Sequence, residues 1–116
     1  MTRVEMILKD MIEDLELEVK SARNKLTNKV TGVYVSDLLS DVIANAQEGQ
    51  IWITLQIHPN IVAVASLKEL SGIILVNNRL PESETIQKAE EVGIPLMMSK
   101  LTTFALAGRL YRRLAG

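Results

Sequence analysis

Apolar and polar residues follow one another along this chain in blocks that predict strands and helices in turn. Five times, an apolar, β-prone run ends in small polar or turn residues just before a helix-like pattern begins. The clearest runs are residues 51–57, 72–76 and 94–98. Because strands that alternate with helices of about ten residues build layered sheets, the pattern predicts an α/β fold.

In the first half of the chain, apolar residues recur first at the spacing of a helix and then at every second residue, as in a strand. Apolar residues from Val4 to Leu15 recur at helical spacing, and Thr2 with Glu5 has the spacing of a capping box. Residues 15–19 alternate between apolar and polar, which indicates a half-exposed strand near the edge of the sheet. The other predicted elements of this half are a loop over 21–28, a strand over 30–35, and a helix that Ser36 caps and residues 48–50 end.

The second half predicts buried strands and one helix that is apolar on nearly every side. This helix runs from Asn60 to about Leu70, with Pro59 in its first turn. A helix that is apolar all round is buried on more than one side, so in this small domain we expect it to contact another subunit. In the apolar stripe of the last helix, Gly108 costs about 1 kcal/mol relative to alanine, which suggests a close helix contact. The predicted interface residues are Ile61, Val64, Ala65, Phe104 and Gly108.

Composition and charge exclude several classes of function. With 116 residues, 47% of them hydrophobic and 23% charged, the chain is expected to fold as one domain over residues 1–116. Its formal net charge of −1 favours neither nucleic acid nor an anionic membrane as a partner. The absence of cysteine excludes disulfides and thiolate catalysis, and the single histidine excludes a His-rich metal site. No apolar run reaches the ~18 residues of a membrane span and no signal peptide is recognisable, so we expect a cytoplasmic protein without a cofactor.

Small polar residues gather where the predicted strands end. If the strands run parallel, these residues converge at one edge of the sheet, where helix N-termini present free amides and partial positive charge. Such an edge suits a phosphate, a carboxylate or a nucleotide. The same residue types also cap helices and form turns, which is the simpler explanation for any one of them. The cluster comprises Ser36, Asp37, His58, Asn60, Asn77, Asn78, Ser99, Thr102 and Thr103.

Catalysis has less support in the sequence. His58 could act as a general base, but local spacing completes no nucleophilic triad, and Pro59 places it at a loop–helix junction. Arg109, Arg112 and Arg113 lie in the last turns of the final helix, where cations complement the negative helix end, and we interpret them as a solvated face. The phosphate-loop and dinucleotide-binding glycine motifs are absent, which disfavours a kinase or a nicotinamide-dependent enzyme.

The stretch from Asn28 to Asp41, NKVTGVYVSDLLSD, resembles the signature of the DRTGG domain family. More distantly, the chain is similar to the N-terminal domain of HPr kinase/phosphorylase, whose catalytic machinery lies in a separate domain. The resemblance implies a three-layer α/β/α fold with a mixed sheet and a regulatory or ligand-sensing role. Further similar segments, which extend the resemblance over nearly the whole chain, are residues 52–54, 58–65, 93–96 and 102–108.

The chain departs from the motif that gives this family its name. Asn28 stands for the aspartate, Lys29 for the arginine and Val33 for the second glycine. Losing the carboxylate removes any acid, base or metal role at that position, and losing the glycine restricts the backbone where a ligand would approach. The positions to which the resemblance transfers best are Thr31, Gly32 and residues 34–41.

Three hypotheses follow from the sequence. The first is a non-catalytic regulatory module that binds a small anionic ligand, such as a nucleotide, at the carboxyl ends of a mostly parallel, five-stranded sheet. The second is a protein-interaction module that forms a homodimer through the two apolar helices, and the third is a small hydrolase or transferase that uses His58. For the first hypothesis, the candidate ligand-binding residues are Thr31, Gly32, Ser36, Asp37, His58, Asn60, Ser99 and Thr102.

Overall fold

The structure, a computed structural model, describes residues 6–115 of the chain. The predicted capping box of Thr2 and Glu5 lies outside these residues. Within residues 6–115, no helix is both long and apolar enough to cross a membrane. The helices and strands are β1 (Met6–Ile7), α1 (Leu8–Leu15), β2 (Glu18–Val19), β3 (Lys29–Val30), β4 (Gly32–Val35), α2 (Leu39–Asn45), β5 (Gln50–Thr54), α3 (Asn60–Leu67), β6 (Gly72–Leu75), α4 (Ser83–Val92), β7 (Leu96–Met98) and α5 (Thr103–Ala115).

Five strands form one mixed sheet in the order β2-β7-β6-β5-β4. Strands β4 to β7 are parallel, whereas β2 pairs antiparallel with β7 at one edge. The short strands β1 and β3 form a separate antiparallel pair. This architecture confirms the predicted α/β fold with a mostly parallel, five-stranded sheet. The strand predicted over residues 15–19 is also at an edge, although it is shorter because α1 continues to Leu15.

The strand predicted over residues 30–35 is divided in the structure. β3 ends at Val30 beside β1, and β4 begins at Gly32 beside Gln50 of β5. Between the two strands, the Thr31 N–H donates to the Gly49 carbonyl at 3.0 Å. Residues 48–50 were predicted to end α2, but α2 already ends at Asn45. Gly49 has the expected positive φ of +82° and belongs to the turn into β5.

Helices cover both faces of the sheet and give it three layers. α1 and α5 pack on one face around Ile51, Ile53 and Met97, and α2, α3 and α4 pack on the other around Trp52 and Ile73. Successive residues of a strand point to opposite faces, so Trp52 meets one helical layer while its two neighbours meet the other. The central strands are therefore buried on both sides, as their continuous apolar sequence predicts.

Helix α3 lies inside the domain, which corrects the interface predicted for it. Ile61 and Ala65 are fully buried within the chain, and Val64 is only 6% exposed. The sheet lies beneath α3, and α2 and α4 flank it, so its apolar circumference is satisfied by the chain itself. Ala63 and Leu67 are the apolar residues of α3 that face solvent.

Candidate functional site

Asp37 joins the carboxyl ends of two neighbouring strands. Its Oδ1 accepts hydrogen bonds from the Thr54 hydroxyl at 2.8 Å and from the Leu55 N–H at 2.7 Å. The Gln56 side-chain amide donates to the Asp37 carbonyl at 2.9 Å. Asp37 thus lies at the predicted edge of the sheet, where one of its carboxylate oxygens fastens the end of β4 to the segment that follows β5.

Ser36 organises the turn between β4 and α2. Its hydroxyl accepts the Leu38 N–H at 3.2 Å, and its carbonyl accepts the indole N–H of the buried Trp52 at 2.8 Å. The predicted cap therefore acts within the turn, because α2 itself begins only at Leu39. The hydroxyl and the carbonyl of Ser36 thus both serve the local structure.

Asp41 is hydrogen-bonded to the side chains around it. The Tyr34 hydroxyl donates to its carboxylate at 2.9 Å, and the Asn45 amide donates at 2.8 Å. The Ser36 hydroxyl first, then Asn45 and Tyr34, hold the pKa of Asp41 below its ordinary value, and the hydrogen bond to Asp41 raises the pKa of Tyr34. Because the folded-state pKa of Asp41 is lowered, its contribution to stability is present at neutral pH and is lost as the pH falls through that pKa.

His58 and Asn60 lie at the carboxyl ends of the strands, on the side of α3 and α4. The His58 Nδ1 accepts the Asn60 backbone N–H at 3.1 Å, so the ring satisfies the first turn of α3. Both residues line an open cleft of about 510 Å³ whose charged walls are Glu84, Lys88 and Glu91. Two carboxylates against one ammonium group make this cleft unfavourable for an anion.

Ser99 and Thr102 form the turn between β7 and α5. The buried Ser99 hydroxyl accepts the Leu101 N–H at 3.0 Å, and the Thr102 hydroxyl accepts the Ala105 N–H at 3.2 Å. The adjacent Asn77 and Asn78 adopt left-handed backbone conformations, with φ of 56° and 55°, and donate their N–H groups to this turn. These four residues lie at the predicted edge, and their observed hydrogen bonds are those of caps and turns.

Thr31 and Gly32 lie at the opposite edge of the sheet, which corrects their assignment to the carboxyl ends. Gly32 is the first residue of β4, and the Thr31 hydroxyl donates to the Glu48 carbonyl at 3.0 Å. The resemblance to a family motif placed these residues in the candidate set, whereas the direction of β4 decides which edge they occupy.

An open groove lies between β4 and α5, here called the aromatic groove. Its open volume is about 740 Å³. Phe104 and Tyr111 of α5 are 89% and 72% exposed there. The groove thus joins two predicted ligand residues, Thr31 and Gly32, to the two predicted interface residues of α5. Its lining comprises Thr31, Gly32, Val33, Val35, Gln50, Phe104, Ala107, Gly108, Tyr111 and Leu114.

A second concavity, here called the basic cleft, lies between the end of α1 and the other flank of α5. It consists of two adjoining hollows of about 330 and 390 Å³. Arg113 forms an ion pair with Asp14 across it. Lys100 is the second residue after β7 and so brings a cation to the carboxyl ends of the strands. The lining residues are Asp14, Leu15, Glu16, Lys100, Leu101, Arg109, Arg112 and Arg113.

Sequence reasoning missed the basic cleft because it treated the three arginines as a solvated helix face. The sequence did contain a signal: Lys100 stands in the same strand-to-helix connection as Ser99 and Thr102, and Arg109 follows nine residues later. The sequence does not show that α1 packs beside α5. Because of this packing, the cations line a cleft.

Comparisons with known proteins support the fold. No family model matches the chain, and no curated protein matches it. Among solved structures, it is similar to the crystal structure of the CBS and DRTGG domains from the regulatory region of Clostridium perfringens pyrophosphatase, complexed with the activator diadenosine tetraphosphate. The TM-score is 0.72 at 21% identity, and the match covers 90% of this chain but only 45% of that one. At this identity the likeness concerns the fold, and it supports the DRTGG-like architecture that the sequence predicts.

Proposed function

We propose that this chain is a non-catalytic regulatory module that senses a small anionic ligand at the carboxyl edge of its sheet. The basic cleft is the observation that carries the proposal. The residues that line it include four cations and two carboxylates, and one of those carboxylates, Asp14, already pairs with Arg113. An anionic ligand would therefore enter a site of net positive charge.

Two cations of the cleft are suited to bind such a ligand. Lys100 and Arg109 are exposed, and neither belongs to an ion pair within the described residues, while Lys100 is near enough to Glu18 to help lower the pKa of that carboxyl. A guanidinium presents a planar fork of donors that matches a phosphate or carboxylate, and an ammonium adds a compact charge. The polar residues of the neighbouring turns then act indirectly, because Ser99 and Thr102 fix the backbone that carries Lys100.

A nucleotide is the ligand class that we favour. The similar Clostridium perfringens regulatory region is complexed with a dinucleotide polyphosphate activator. A phosphate chain would satisfy the cations of the basic cleft, whereas the cleft at His58 has the opposite balance of charge. That this chain also binds a nucleotide is a hypothesis that binding measurements can test.

Addition of a ligand that binds this cleft is expected to raise the melting temperature. At 100 times its dissociation constant, a ligand stabilises the folded state by about 2.7 kcal/mol, which corresponds to roughly 10 °C for a domain of this size. The panel should contain inorganic phosphate, AMP, ATP and diadenosine tetraphosphate, and the readout is thermal unfolding followed by circular dichroism. The variants Lys100→Gln and Arg109→Gln should each lose most of the shift.

Lys88→Gln is the matched control, because it removes an exposed cation from the cleft at His58 on the other side of the sheet. This variant should keep the full shift. If the whole panel leaves the melting temperature unchanged, or if Lys88→Gln alone removes the effect, the proposed anion site is wrong.

Assembly into a homodimer is a second candidate function, and the aromatic groove favours it. Two large side chains, Phe104 and Tyr111, remain mostly exposed on one helix.

Catalysis by His58 has no comparable support. The His58 Nδ1 accepts a hydrogen bond from the backbone of α3, and none of the hydrogen bonds of the described residues joins the ring to a carboxylate.

A further inference from the structure

The two helical layers cover the sheet unequally. Of the helices in the described residues, three pack on one face, but only α1 and α5 pack on the other. On that thinner side, Val33 of the edge strand β4 is half-buried and Val35 is 45% exposed. The aromatic groove is the space beside α5 above these two side chains. A further helix lying along α5 would cover them.

Gly108 indicates that the groove accommodates something from outside the chain. A glycine in a helix interior costs about 1 kcal/mol relative to alanine. A Cβ added at Gly108 would meet no atom within 4 Å. No contact within the described chain therefore requires a glycine there, although the sequence predicted a close helix contact at this position.

We infer that a second copy of this chain occupies the groove, with the two α5 helices packed antiparallel and crossing between Ala107 and Gly108. Phe104 and Tyr111 each stand about 5 Å along the axis from that crossing, on opposite sides of it. An antiparallel pair therefore places Phe104 of one copy against the partner's Tyr111, and the two-fold axis repeats the contact. Small residues at the crossing let the helices approach closely.

The charges of α5 favour the antiparallel orientation over the parallel one. Arg112 would lie about 13 Å along the axis from the partner's Arg112, beyond the ~8 Å screening length at physiological salt. A parallel pair would bring the two guanidinium groups side by side. Antiparallel packing also sets the positive end of each helix dipole near the negative end of the other.

The exposed aromatic side chains of α5 supply a substantial part of the area that a dimer needs. Aromatic side chains bury about 150–250 Å² each, so Phe104 and Tyr111 together supply roughly 300 Å² per copy. A standard interface needs about 800 Å² per partner. Val35, Leu114 and the backbone of Gly32 line the same groove and contribute further area.

Sedimentation equilibrium between 1 and 100 µM tests the dimer. We expect the full chain to dimerise, and we expect Gly108→Leu and Phe104→Glu each to weaken the dimer at least 100-fold. A Cβ at position 108 meets no atom within 4 Å and leucine favours helices, so Gly108→Leu should remain folded. The matched control is Leu67→Glu, which changes another exposed apolar side chain, 68% exposed on α3, and should leave the dimer intact.

Single cysteines test the orientation, because the chain has none of its own. Under mild oxidation, Gly108→Cys should form a disulfide-linked dimer, whereas Leu67→Cys should not. Phe104→Cys mixed with Tyr111→Cys should cross-link, while each alone should not, since a disulfide requires Cα atoms within about 7 Å. A chain that stays monomeric at 100 µM, or a dimer that Gly108→Leu does not weaken, overturns the inference.

This inference depends only on the assembly function. A monomer that still shows the nucleotide-dependent melting shift would therefore leave the proposed ligand function standing.

Discussion

Replacement of Val64 with glutamate is expected to unfold the domain rather than to dissociate an assembly. Val64 is 6% exposed and belongs to the buried cluster that α2, α3 and α4 form with the sheet. The substitution removes about 2 kcal/mol of apolar burial and puts a carboxyl group among the apolar side chains of this cluster. The total cost, roughly 5 kcal/mol or more, is comparable to the whole stability of a typical domain.

Far-UV circular dichroism and thermal melting measure this effect directly. Ala63→Glu is the matched control, because it introduces the same charge one residue away at an exposed position of the same helix. That variant should melt within about 2 °C of the parent chain, since surface substitutions usually change stability by less than 0.5 kcal/mol. A folded, monomeric Val64→Glu would instead mean that α3 forms an interface, as the sequence alone suggested.

The position of α3 shows what a hydrophobic pattern can and cannot predict. The pattern correctly indicates a helix that is buried on several sides, but it does not identify what buries them. Strands β4, β5, β6 and β7 follow one another across the sheet in chain order. Right-handed crossovers between such strands place α2, α3 and α4 on the same face, so α3 has a helix on either side. Strand order cannot be read from one sequence. Without it, the burial of α3 was assigned to a second subunit, and that prediction was wrong.

The candidate site was predicted in location better than in detail. Ser36, Asp37, His58, Asn60, Ser99 and Thr102 all lie where the strands end, because parallel strands bring their carboxyl ends to one edge. Short polar side chains next to free backbone amides readily bond to them, and the structure shows such bonds for five of the six, while Asn60 contributes its backbone N–H. The side chains of Lys100 and Arg109 are longer and extend away from the backbone into solvent, which suits them to an external ligand.

Truncation of Trp52 to alanine is expected to produce the second large loss of stability. Trp52 is fully buried at the centre of β5, and its indole N–H donates to the Ser36 carbonyl at 2.8 Å. Truncation of a buried tryptophan costs about 3–5 kcal/mol, because it removes apolar contacts and leaves a cavity. The lost hydrogen bond also frees the Ser36 carbonyl, so the turn that carries Asp37 should loosen with the core.

Urea denaturation followed by circular dichroism measures the change, since Trp52 is the only tryptophan and its fluorescence disappears with it. With a slope of about 2 kcal/mol per molar urea, the midpoint should fall by roughly 2 M. Trp52→Phe separates the two contributions, because it keeps most of the apolar volume and removes the indole donor. We expect that variant to lose about 1–2 kcal/mol, near the cost of one unsatisfied buried group together with a small cavity. If Trp52→Phe were as unstable as Trp52→Ala, the loss would come from the hydrogen bond to Ser36 and not from the packing of the indole.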